Sequence, residues 1–412
     1  MTHGCPQASA APLLDLLVVG CGLRATGLLT ATPALLGLDT GIVDAADQLG
    51  VGSFRDYDIE SNSSGSDFFG WIDPAGEFGP LLARGPVARL RAVPGAFQLS
   101  MLARALSAAG DQIGGRLAPG RLFLRERVTQ VEAAGDGPVA VRTSAGRLLR
   151  ARAVVLAAGI RERPSQELAP WASRLVPSGS LITPASRARC AELASQPGPV
   201  CFAGASHSAF SVLRRLLAAR PAGGPEIVLV SRSPVKLYYP DWAGYAAVTH
   251  PGAEAVPDPD ASRCQETGSV HRYSGLRNTS RALFRAVALG EVPGVRLAVV
   301  PDAAGRAAYF ERAGVVITAT GYQSNLPVIT AGGAPAQVTT AAGLAAIDGQ
   351  GRLQAGGVPL PGLFVMGMDP YPYKDNSINP TSQYARRGRD IFGHLSASCQ
   401  GDHRPVRAMR RI

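Results

Sequence analysis

Gly20-Cys21-Gly22-Leu23-Arg24-Ala25 carries two glycines and an alanine at the spacing that brings backbone N–H groups to a pyrophosphate. Gly20 permits the tight turn, Gly22 lets the phosphates approach the backbone, and Ala25 lets a helix pack closely on a strand. A helix opening here adds free N–H groups and the positive end of its dipole. Asp44, about twenty residues on, is placed to accept hydrogen bonds from a ribose.

The pattern recurs at Gly204-Ala205-Ser206-His207-Ser208-Ala209, with Ser206 in place of the middle glycine. After the next strand stands Arg232 rather than an acid; an arginine there can pair with a ribose 2′-phosphate and favours NADPH over NADH. Lys236 is a second candidate phosphate contact. The competing reading is a lobe that keeps this shape without binding a nucleotide. His207, at a helix start, is a candidate for proton handling or for a structural role.

The elements that must position these residues follow from the hydrophobic pattern. Residues 15–20 read as a buried parallel strand, 22–32 as a helix stopped near Pro33, and 40–43 as the next strand. The polar, aromatic-studded stretch 45–75 reads either as a loop beside the nucleotide, with Arg55, Asn62 and Ser63 as contacts, or as a surface loop. Residues 121–158 alternate as a short β meander that includes Val128 and closes on Ala157-Ala158-Gly159. Strands at 200–203 and 227–230 flank the second turn. Two more finish on glycine turns, at Ala319-Thr320-Gly321-Tyr322 and near Asp369. Asn379-Pro380-Thr381-Ser382 opens a last helix running to about residue 394. The fold class is therefore α/β, with two Rossmann-like, doubly wound dinucleotide-binding domains. The first is discontinuous, over 12–165 and 311–400, and carries the meander; the second is inserted over 166–310; a basic tail spans 401–412.

Composition narrows the class further. A net charge of +10 comes from basic residues spread along the chain, with no nucleic-acid-binding module, so it points to anionic nucleotides or an acidic partner rather than DNA or RNA. Six cysteines include no Cys-x-x-Cys pair, which disfavours a zinc site and disulfide exchange; no metal is expected. The apolar segment 13–38 lacks a basic leader and is interrupted by Arg24, so a strand and helix explain it better than a membrane span or signal; a cytoplasmic location is expected.

On the two glycine turns, the Ala157–Gly159 strand end and Ala319-Thr320-Gly321-Tyr322 with Pro327 behind it, the chain resembles class B flavin-dependent monooxygenases, in the N-hydroxylating and flavin-containing branch. Gly314 and Thr318 depart from that family's signature, where an acid and Leu or Phe stand. The resemblance implies FAD in the first domain and NADPH in the second. It also implies O₂ and a small-molecule substrate as partners, and transfer of one oxygen atom to a nucleophilic atom, an amine nitrogen first. It places Gly159, Gly321, Tyr322, Asp369, Thr381 and Ser382 at the cofactors, with Asn379 beside His207 as a catalytic candidate. Homo-oligomerisation is left open. The alternatives are an FAD oxidase or dehydrogenase that does not use NADPH, and a nucleotide-binding redox sensor without turnover. Substrate walls are expected at 53–73, 238–245, 271–281 and 371–384.

Overall fold

Strand β1 (Leu13–Val19) is apolar on both sides, as a strand buried between two layers must be. Leu16 and Val18 face a helical layer that includes Leu23–Ala31 and Leu99–Gly114, while Leu14, Leu17 and Val19 join a second core on the other face. The computed structural model describes residues 12–135, 137–162, 165–367 and 382–400. β2 (Thr40–Asp44) and β3 (Leu122–Leu124) extend the sheet in parallel. β4 (Val128–Ala133), β5 (Val139–Thr143) and β6 (Leu148–Leu156) form the expected antiparallel meander. β6 belongs to both layers. Its first half pairs with β5, and its second half runs parallel to β1 and to the late strand Val358–Val365.

β7 (Ile160–Glu162) leads out of this lobe. The second lobe is a five-stranded parallel sheet of β8 (Leu175–Pro177), β9 (Val200–Ala203), β10 (Ile227–Ser231), β11 (Val295–Val299) and β12 (Val315–Thr318), in the order β11-β10-β9-β12-β8. β13 (Tyr322–Ser324) then returns antiparallel to β7, and β14 (Val328–Ala331) rejoins the first sheet beside β4. The sequence-based boundary at 310/311 is corrected by this topology. β12 was expected in the first domain, but it is hydrogen-bonded to β9 and β8 of the second. A four-residue apolar strand has the same pattern in either sheet, so periodicity does not choose between them.

The lobes are locked at two places. Asp58 accepts from Arg187 (2.8 Å) and Arg215 (2.8 Å), and Glu60 accepts from Arg214 and Thr279 (2.8 Å each). The hydrogen bond from Arg187 holds the Asp58 carboxyl below its ordinary range, and that from Arg214 does the same for Glu60. At the crossing itself, Glu162 accepts from the Ser178 N–H (3.1 Å), the Gly179 N–H (2.8 Å) and the Thr318 hydroxyl (3.0 Å). Replacing it leaves several donors of both segments unsatisfied. Glu162→Ala is expected to lower unfolding free energy by about 3 kcal/mol, measured by urea denaturation; a change within error would show that the crossing is held by β7 and β13 alone.

Candidate functional site

Each glycine turn is fixed by the same backbone arrangement. Gly20 (φ +83°) donates to the Val43 carbonyl (2.8 Å), while Ala157 donates to the Val19 carbonyl (2.8 Å). A Cβ on Gly20 would lie 2.8 Å from the Ala157 carbonyl oxygen. In the second lobe Gly204 (φ +108°) donates to Val230 (2.8 Å) and Ala319 to Ala203 (2.9 Å), and a Cβ on Gly204 would sit 2.5 Å from the Ala319 oxygen. Only glycine meets both the dihedral and the approach.

A cleft of about 920 Å³ opens at the first turn. Of the residues expected there, Gly20, Gly22, Asp44, Val128, Gly159 and Tyr322 line it; the structure adds Gly52, Phe54 and Tyr57 from the segment after β2, and Asn325 and Pro327 after β13. Gly22 faces Gly52 across the turn: a Cβ on Gly22 would come 3.5 Å from the Gly52 Cα, so a side chain at either position would fill the floor of the cleft. Asp44 receives the Cys21 N–H (2.6 Å) on one oxygen and the Ala46 N–H (2.7 Å) on the other, which fixes the carboxylate at the turn with lone pairs to spare. Burial, and then the Asp44 charge, push the Cys21 thiol up to about 12, so it is an inert packing group. Ala25 is buried behind the turn, as the close helix packing requires. This cradle fits the adenosine pyrophosphate of a dinucleotide.

Other expectations fall differently. Arg55 is turned away from the cleft and pairs with Asp47 (2.6 Å) on the surface. Asn62 and Ser63 line a second cavity instead. Ser206 caps the helix His207–Ala219 with extended backbone (φ −87°), so the missing glycine is tolerated, and its hydroxyl is turned toward Ser208 (3.1 Å) and the Ala319 carbonyl (3.4 Å). Arg232 is exposed at the end of β10 and lines neither cavity. Gly321 (φ +107°) turns the chain so that Tyr322 lines the first cleft. Asp369, Asn379 and Thr381, the loop 371–376 and the tail 401–412 lie outside the described residues; Ser382 opens the helix Ser382–Gln400.

The second cavity, about 540 Å³, adjoins the first through Leu23 and Arg24, which line both. Its walls come from both lobes: Asn62, Ser63, Asp67, Phe68 and Trp71 from the first, and His207, Arg272, Tyr273 and Arg277 from the second, with Tyr384 behind. Two of the four expected substrate walls, 53–73 and 271–281, thus contribute, and Tyr384 stands at the edge of a third. Residues 238–245 do not line it; Tyr238 lies under the Arg277 guanidinium, 4.0 Å from its ring centroid. Trp71 packs between Phe69 and Tyr384 (centroids 5.1 and 5.0 Å) and donates to the Thr30 hydroxyl (2.9 Å). Arg272 and Arg277 fall within the expected wall 271–281 without having been singled out in it, because the loop that brings them in is set by tertiary contacts.

His207 stands at the edge of this cavity. Its Nε2 lies 3.1 Å from the Gly275 carbonyl, which can only accept, so Nε2 carries the proton and Nδ1 is a bare acceptor, buried without a partner among the described residues. Burial pulls the imidazole down to about 4, leaving it neutral at physiological pH.

The fold and the two phosphate turns define a flavoprotein of the two-dinucleotide type. A family model for flavin containing amine oxidoreductases matches residues 56–187. The chain is 31% identical over 324 residues to CMP-5'-(3-aminopropyl)phosphonate hydroxylase of Streptomyces rubellomurinus, covering 70% of this chain and 72% of that one. Among solved structures it resembles the cadaverine monooxygenase of Erwinia amylovora bound to FAD (TM-score 0.61, 15% identity, 97% of each chain). It also resembles the ornithine N-hydroxylase of Kutzneria sp. 744 with reduced FAD, NADP⁺ and L-ornithine (TM-score 0.56, 16% identity, 94% of this chain and 99% of that one). The chain belongs to the flavin-dependent monooxygenases related to the N-hydroxylases.

Two outcomes follow from the geometry. Gly20→Ala should destabilise the fold, whereas Gly22→Ala should leave melting temperature nearly unchanged and release flavin; the two are compared by thermal unfolding and by bound-flavin absorbance. Equal flavin retention by Gly22→Ala and the parent chain would remove Gly22 from the cradle. For His207, the folded-state value lies below the unfolded one, so the unfolded chain binds more protons between about pH 6.5 and 4, and stability falls as pH drops through that window. The loss should reach about 3 kcal/mol at most, and His207→Gln should flatten the slope in denaturation curves taken from pH 7 to 4.

Proposed function

We propose that this enzyme holds FAD at the first turn, takes reducing equivalents from NADPH at the second, and transfers one oxygen atom of O₂ to the nitrogen of a small primary amine. The observation that carries the proposal is the second cavity, which touches the cofactor cleft at Leu23 and Arg24 and is walled by both lobes. Bound flavin supplies the redox and oxygen chemistry. Gly20, Gly22 and the helix N-terminus would take its pyrophosphate, and Asp44 its ribose. Gly204, Ser206 and the start of His207–Ala219 would take the pyrophosphate of NADPH, with Arg232 at its 2′-phosphate. The tucked serine hydroxyl supports this, since it leaves the face of the turn clear.

The residues of the cavity suit an amine. Only an unprotonated nitrogen is nucleophilic, and the arginines lining the cavity disfavour the ammonium form of a substrate bound among them. Phe68, Trp71, Tyr273 and Tyr384 bring aromatic surface that excludes water. His207, with a pKa of about 4, is too weak a base to deprotonate an amine at neutral pH; its bare Nδ1 serves as a hydrogen-bond acceptor that orients a donor. The named substrates of the relatives, ornithine, cadaverine and an aminopropyl phosphonate, share a primary aliphatic amine.

The match of residues 56–187 to flavin containing amine oxidoreductases favours a second reading, direct oxidation of the amine by flavin without NADPH. Anaerobic mixing separates the two. NADPH alone should bleach the flavin, and admitting O₂ with a primary amine should yield a hydroxylamine detected by mass spectrometry. Bleaching by the amine in the absence of NADPH, with aldehyde as product, would replace the first reading by the second.

A further inference from the structure

Three of the chain segments that wall the second cavity meet at one carboxylate outside it. Glu60 Oε2 accepts from Arg214 Nη1 (2.8 Å) and from the Thr279 hydroxyl (2.8 Å), and Arg214 also donates to that hydroxyl (3.1 Å), so the three groups close a ring. Each leads to the cavity within a short run of chain. Asn62 lies two residues after Glu60, and Arg277 two before Thr279. His207 lies seven residues before Arg214 on helix His207–Ala219, two turns away along the same side, or about 10 Å. Glu60 itself is stitched to the first lobe: the Ser61 N–H donates to the Phe97 carbonyl (2.7 Å) and the Leu99 N–H to the Ile59 carbonyl (3.0 Å). Its two partners belong to the second lobe, where one helix opens on the second glycine turn and the other, Asn278–Ala288, carries Thr279 in its first turn.

The ring is suited to setting geometry rather than to adding stability. The Glu60 and Arg214 side chains are 29% and 41% exposed, and an ion pair this open to water contributes little to folding. Reduction of the flavin is sensitive to placement instead. The two glycine turns lie in different lobes, so each dinucleotide can stay bound while the reacting groups are misaligned, and a misplacement of about 1 Å costs roughly a hundredfold in rate. We propose, resting on the reading of FAD at the first turn and NADPH at the second, that Glu60 is a positioning residue. Its ring with Arg214 and Thr279 sets the register of the second lobe on the first, and so the placing of the reductant against the flavin. In the step it serves, a hydride passes from NADPH to FAD, giving NADP⁺ and the anionic reduced flavin, and no further reactant is needed. Asp58 braces the same helix one residue on, through Arg215, while Glu60 joins both helices.

The test is anaerobic stopped-flow reduction of the FAD-loaded enzyme by NADPH, beside equilibrium binding of NADP⁺. Glu60→Lys sets a cation against Arg214. It should leave melting temperature and bound-flavin absorbance close to the parent and NADP⁺ affinity within about twofold, while bleaching at saturating NADPH slows roughly tenfold or more. Adding Arg214→Glu to that chain restores the attraction and should recover most of the rate. Glu60→Gln, uncharged and of the same size, should show the same pattern to a smaller degree, and replaces Glu60→Lys if that chain does not fold. A parental bleaching rate in both Glu60 variants overturns the proposal. So does a loss of rate matched by lost NADP⁺ affinity or lost flavin, which would make Glu60 a binding or structural residue. A parent bleached by 1,4-diaminobutane but not by NADPH removes the NADPH reading. Glu60 then stands as a positioning residue if the variants slow the amine-driven bleaching, and falls if they do not.

Discussion

The close approach of a glycine to the carbonyl of a neighbouring strand end sets the rest of the structure. Gly20 against Ala157 and Gly204 against Ala319 are the same contact made twice, with equivalent hydrogen bonds from each glycine to the end of the adjoining strand. Because the carbonyl occupies the place of a side chain, the turn, the strand end and the following helix are fixed relative to one another before any ligand enters. The two cavities then follow from where these turns sit: the first cleft lies over one, and His207 carries the edge of the second cavity from the other.

Much of this was legible from local pattern. The first βαβ unit, its terminal acid, the meander and the second turn are each specified by residues close together in sequence, and short-range sterics decide them. Features that depend on partners far away in sequence were not legible. β12 joins the second sheet because Val200–Ala203 and Leu175–Pro177 offer it edges, and its own residues say nothing about which edge is free. Arg55 was a candidate cofactor or substrate contact by position, yet Asp47 claims it. Asn62 and Ser63 were expected near a nucleotide or substrate and lie at the second cavity, because Asp58 and Glu60 are drawn to arginines of the other lobe.

That docking also explains why the long polar insertion is ordered between its two tasks. Gly52, Phe54 and Tyr57 face the first cleft, and Asn62, Ser63 and Asp67 face the second cavity. Between them stand the acids that grip the second lobe. Any shift of the lobes therefore pulls directly on the segment that lines both cavities, so movement of the lobes and the shape of the two cavities are mechanically coupled through it.

The antiparallel pair of β7 and β13 carries one further consequence. Glu162 lies opposite Tyr322, so the chain leaves and re-enters the first lobe at neighbouring points, and the covalent connections of the second lobe pass through one narrow ribbon. A lobe attached in this way can be gained, lost or exchanged in a lineage with little disturbance to the host sheet, since closing the gap needs only a short turn.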